Sequence, residues 1–136
     1  MGKDLHHSIM KFLERRLDEH SLVKDWKRVN EGDWIIYNVE RYKFNDKVKI
    51  CLSDAYLFTD FDYQDRAKFL SGGDYILVAK PEGGFGVSSH LINSAKIGVG
   101  KIGEMMGALN SKEMWTYVPP SDDELRQRRE RSRKNT

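Results

Sequence analysis

The chain has 136 residues, 39% hydrophobic and 32% charged, with a formal net charge of +2. That length fits one domain with one core, and the balance fits a rather polar globular fold. A single cysteine excludes an internal disulfide framework and a four-cysteine zinc site, and no run reaches the ~18 apolar residues of a membrane helix. The N-terminus, Met1-Gly2-Lys3-Asp4-Leu5-His6-His7, lacks an apolar signal core and predicts a cytoplasmic location.

Residues 4–20 predict the first helix. Leu5, Ile9, Phe12, Leu13 and Leu17 form one apolar face, while Lys11, Glu14, Arg15, Asp18 and Glu19 fall off it. His6, His7 and His20 have no metal-ligand spacing and read as surface residues. Residues 34–58 predict a hairpin. Trp34-Ile35-Ile36-Tyr37-Asn38-Val39 is β-prone, and Asn45-Asp46 is a turn signal. On the return arm Val48, Ile50, Leu52, Tyr56 and Phe58 share one parity, and Asp54 falls among them. Alternation thus directs a carboxylate along the buried face, where it needs a partner or a task. A carboxylate at the exposed strand end, or one capping a nearby N–H, is the alternative. Cys51 falls on the polar parity, and since the sequence argues no base for it, it is not read as a thiol nucleophile.

Asp60-x-Asp62-x-x-Asp65 hints at a cation loop but lacks its glycine and distant glutamate. A short helix starting at Asp62 or Asp65 and ending at Leu70, before Gly72-Gly73, explains it better. Tyr75-Ile76-Leu77-Val78-Ala79 is a short buried strand that runs into Lys80 and a Pro-Glu-Gly-Gly break. Ser88-Ser89 can cap a helix over 89–109, although Gly98, Gly100, Gly103 and Gly107 lie inside it and a break near Gly98 is the alternative. Residues 95–102 look like a phosphate-binding loop, but Ile102 stands where a Ser or Thr is required. Met114-Trp115-Thr116-Tyr117-Val118 predicts a last strand, stopped by Pro119-Pro120, before a terminal helix that is acidic first and basic last.

The organisation expected is one α+β domain over 1–120 and a basic tail over 121–136. From Arg126 onward, Arg126, Arg128, Arg129, Arg131, Arg133 and Lys134 stand against Glu130, a local +5 that leaves −3 for the rest. Such a tail can contact phosphates, or it is a solvated terminus.

The expected order is helix, strand, strand, strand, helix, strand, with a mixed central sheet flanked by helices. With Asp54 in one strand and Lys80 ending the next, it resembles the core of the restriction-endonuclease-like nucleases, the PD-(D/E)XK superfamily. There an aspartate and an acidic-x-Lys strand end hold a divalent metal and a water. The resemblance implies Asp54 and Glu82 as ligands of Mg²⁺ and Lys80 as the group that orients the attacking water, with Asp54, Lys80 and Glu82 together as the catalytic set. It also implies DNA or RNA as partner, with the six basic tail residues on phosphates. The sequence departs from the pattern at Val78, which occupies the acidic position before the lysine. Glu82, Asp74 or Glu14 would have to replace it. The resemblance therefore covers a metal-dependent phosphodiesterase or an inactive relative. The other expectation is a non-enzymatic interaction module, with Trp26, Phe85 and Trp115 facing a protein partner or a second copy.

Overall fold

The computed structural model describes residues 7–31, 34–55, 57–79 and 84–117, together with Gln127 and Glu130. Helix α1 (His7–Glu19) leads into a meander of β1 (Val23–Glu31), β2 (Trp34–Arg41) and β3 (Asp46–Ser53). A short β4 (Leu57–Phe58) precedes α2 (Asp60–Ala67) and the central strand β5 (Tyr75–Val78). Then follow β6 (Gly84–Phe85), α3 (Ser89–Ala95), β7 (Gly98–Gly100), α4 (Ile102–Ala108) and a 3-10 turn over Met114–Thr116. The main sheet has the order β1-β2-β3-β5-β7. Its first three strands are antiparallel, while β3, β5 and β7 run parallel. The protein is thus α+β, with a mixed sheet flanked by helices.

Both crossovers, through α2 and through α3, step the same way across the sheet. The fixed hand of such connections sends both helices to one face. Phe58, Tyr63, Ile76, Val78 and Ile97 form the core there, with Leu91, Ile92 and Ala95 of α3 packed against it. On the opposite face α1 and α4 bring Leu13, Leu17, Met105 and Leu109 onto Tyr37, Val39, Ile50, Leu52 and Leu77. Each fully buried Leu or Ile here contributes about 1.5–3 kcal/mol over an exposed one.

The helix–strand–strand–strand–helix–strand run is present as α1-β1-β2-β3-α2-β5, but its members are partly other segments than expected. Strand β1 was not legible. It reads Val-Lys-Asp-Trp-Lys-Arg-Val-Asn-Glu and shows no apolar alternation. Polar ties to α1 help hold it: Trp26 Nε1 donates to Asp18 at 2.7 Å, and Arg28 pairs with Glu14 at 3.3 Å. The expected long helix is instead α3, β7 and α4, because the chain breaks at Lys96 (φ 60°) and extends through Gly98–Gly100. The expected last strand is the 3-10 turn. Cys51 is buried, since from Ile50 onward β3 is covered on both faces and parity no longer reports exposure. His20, expected at the surface, is partly buried: its Nε2 lies 3.1 Å from the Met106 carbonyl and its Nδ1 accepts from the Leu22 N–H. The Asn45 turn is as expected, with φ 50°.

Helix α2 starts earlier than expected, with Thr59 as its cap. The Thr59 N–H and hydroxyl donate to Asp62 Oδ2 at 2.9 and 3.1 Å, an arrangement that satisfies otherwise orphaned donors. Asp60 accepts from the Ser88 hydroxyl and N–H, both at 2.7 Å, and so ties the start of α2 to the start of α3. These bonds, hydroxyl first, hold the Asp60 carboxyl below its ordinary range. A folded pKa lowered in this way gives stability that is present above the unfolded value and lost as pH falls through the folded one. Asp60→Asn should therefore lower the melting temperature at pH about 5 and make no difference at pH about 2. Equal differences at both pH values in thermal scans would reject that role.

Candidate functional site

In open sheets with parallel strands, ligands gather at the carboxyl ends of those strands. Here the register pairs Ser53 with Val78 and Leu77 with Gly100, so β3, β5 and β7 end together. The Ala79 N–H donates to Ser53 O at 2.9 Å and carries the ladder one step further. Asp54 follows immediately. It is half-buried and lies in a loop rather than within the strand, and among the described residues nothing hydrogen-bonds its carboxylate. The chain beyond Asp54 and the chain beyond Ala79 meet again where β4 pairs with β6, Leu57 beside Gly84 and Phe58 beside Phe85.

Lys80 and Glu82 lie outside the described residues, so of the expected catalytic and metal set only Asp54 has a described position. The two substitute carboxylates do not join it. Asp74 sits at the opposite end of β5 and accepts from the Lys49 N–H at 2.9 Å and the Ser71 N–H at 2.8 Å. The length of the strand, roughly 13 Å, separates it from Asp54. Glu14 is committed to Arg28 and to the Tyr37 hydroxyl, which donates to it at 2.6 Å. Burial and that carboxylate push the Tyr37 hydroxyl well above its ordinary range. Among the described residues no group of three His, Cys, Asp or Glu side chains could hold a metal ion.

Strand β3 ends at Ser53, just before Asp54, and the strand that precedes Lys80 in the chain is β5, with Val78 two positions before the lysine. The basic residues Arg126, Arg128, Arg129, Arg131, Arg133 and Lys134 lie outside the described residues. Of their neighbours, Gln127 and Glu130 are helical and exposed. Trp26 and Trp115 are half-buried rather than exposed, and Phe85 contributes only its described backbone.

Sequence reasoning also missed a second cluster. Arg66, in the last turn of α2, is 5% exposed and lies 4.8 Å over the ring of Trp34, the first residue of β2. Phe69 meets the same indole edge-on, with centroids 4.6 Å apart. The available signal was an arginine at the buried spacing of Tyr63 on an otherwise acidic helix. Elsewhere, an apolar groove of about 550 Å³ runs between α1 and α4, lined by Ile9, Phe12, Val78, Ala79 and Ile102 with Arg16 at hand. No described helix is long and apolar enough to cross a membrane. Compared with protein-family models, curated proteins and solved structures, the chain matches none.

Proposed function

We propose that the chain binds nucleic acid through a restriction-endonuclease-like core and does not cut it. The observation that carries this reading is the α1-β1-β2-β3-α2-β5 order, with its antiparallel meander and parallel crossover, combined with a β3 that ends at Ser53, just before Asp54, and with Val78 two positions before Lys80. Phosphodiester hydrolysis needs carboxylates that converge on a metal and a cation that steers water. Among the described residues Asp54 belongs to no group of three side chains that could hold a metal ion. A nuclease-like scaffold without such a set keeps the other half of the task, which is holding the backbone, and the basic tail adds phosphate contacts.

The test incubates the chain, beside Asp54→Ala, with plasmid, single-stranded and branched DNA and with RNA, in Mg²⁺ or Mn²⁺. The expected result is binding without cleavage. Affinity should fall as salt rises, and deletion of residues 121–136 should reduce that salt slope by up to about 5. Metal-dependent cleavage that Asp54→Ala abolishes would overturn the non-cutting half.

A second reading is a protein-interaction module, favoured by the exposure of Leu57 (63%), Phe61 (77%) and Phe69 (55%) around α2. It predicts no affinity for any of the nucleic acids.

A further inference from the structure

We infer that Arg66, Trp34 and Phe69 form a site for a phosphodiester group and an unstacked base of single-stranded nucleic acid. This deepens the nucleic-acid reading above and rests on it. Among the described residues two arginines are buried, and they differ in one respect. Arg41 places its donors on Asp46 and on three backbone carbonyls. Arg66 Nε is buried with no hydrogen-bond partner, and among the described residues no acceptor takes its other donors. Its one described contact is the face of Trp34. A buried guanidinium without an anion is costly, and stacking on an indole recovers only part of that cost.

Among the described residues no anion faces this guanidinium, and the planar fork of arginine matches phosphate or carboxylate. The neighbouring rings choose between them. Phe69 is 55% exposed, and its edge-to-face contact with Trp34 holds its ring. Exposed aromatic faces beside a cation are the elements that bind unpaired nucleotides, because every base has a face to stack. A duplex keeps its bases stacked and offers none. The position fits as well: Ile36 pairs with Cys51, and continuing that register puts Trp34 beside Ser53, next to Asp54 at the strand ends described above.

The test reads Trp34 emission in the full chain carrying Trp26→Phe and Trp115→Phe. The probes are an oligothymidylate of about ten nucleotides, a duplex of equal length, and inorganic phosphate. The oligothymidylate should change the emission saturably and bind more tightly than the duplex. Phe69→Ala should weaken it about tenfold. Arg66→Met should weaken it at least tenfold while leaving the melting temperature unchanged or raised, since methionine fills the space without a buried charge. Arg66→Lys, which keeps the charge but not the fork, should lose severalfold and serves if the methionine variant does not fold. Undiminished oligothymidylate binding by Arg66→Met and Arg66→Lys overturns the inference and leaves nucleic-acid binding standing on other residues. An Arg66-dependent response to phosphate without one to oligothymidylate also overturns it, in favour of a different anion. If nucleic acids do not bind the chain at all, the proposed function falls with it.

Discussion

Arg41→Met is expected to lower the melting temperature by about 10 °C, a loss of about 3 kcal/mol. Arg41 is fully buried, at 1% exposure, on the last residue of β2. Its Nε and Nη2 grip Asp46 at 2.9 and 2.6 Å across the hairpin turn. Nη1 donates to the carbonyls of Leu109 (3.2 Å) and Ser111 (2.6 Å), and Nη2 to that of Lys112 (3.1 Å). Those carbonyls close α4, which has no basic residue in its own last turn. Arg41 thus caps a distant helix end in place of a local cation. Methionine leaves the acceptors unpaired, and they cannot all reach water. Arg41→Lys should lose nearly as much, because one ammonium cannot serve four acceptor groups in a plane. Combining Arg41→Met with Asp46→Ala should cost less than the sum of the two. A fall below about 3 °C for Arg41→Met in a thermal scan would show that the clamp contributes little.

Gly98→Val should cost about 2–3 kcal/mol, or about 6–10 °C in melting temperature. A Cβ at Gly98 would lie 2.5 Å from Tyr75 Cδ2 and Cε2 and 3.3 Å from the Trp115 backbone. A Cβ at Gly100 would collide with the Tyr75 hydroxyl and stand 3.0 Å from Glu104 Cβ. Gly98 and Gly100 lie on the same side of β7, and the Tyr75 ring from the adjacent strand fills the trough they leave. Tyr75 is 3% exposed and cannot swing aside without disturbing the core. Burial, with Glu104 and Tyr117 facing it, pushes its hydroxyl well above the ordinary range. Removing the ring should make room for the valine. Tyr75→Ala with Gly98→Val should therefore cost less than the two single changes added, by about 1–2 kcal/mol. Strict additivity in denaturant melts would mean that the ring and the glycines do not share that space.

Much of the fold could be read from the chain alone, and for identifiable reasons. The apolar stripe Leu5, Ile9, Phe12, Leu13, Leu17 recurs at helical spacing; α1 buries Leu13 and Leu17 and half-buries Ile9, while Phe12 is exposed and Leu5 lies outside the described residues. The β-prone run from Trp34 and the Asn45 turn produce β2 and β3, because both signals are local. The candidate site was less legible. Asp54 could be placed near a strand end, but Lys80 and Glu82, its expected partners, lie outside the described residues.

The sequence by itself determined α1, the β2–β3 hairpin, α2 and the buried β5, each through a periodicity or a cap contained in its own residues. Only the tertiary structure decided the rest. Strand β1 exists as the antiparallel partner of β2, with Trp26 beside Val39 and Val29 beside Ile36, and Trp26 and Arg28 tie it to Asp18 and Glu14 on α1; its own pattern demands no strand. Gly98 and Gly100 pair with β5 as an extended strand, and the Tyr75 ring takes the space their side chains would need. Cys51 is buried because it lies between Ile36 and Ile76 on the neighbouring strands of a sheet with a core on each face. Arg66 is a buried cation with no anion among the described residues for the same kind of reason. Local patterns record which side of an element is apolar, whereas burial on both faces and the partners of a buried charge are set by residues far away in the chain.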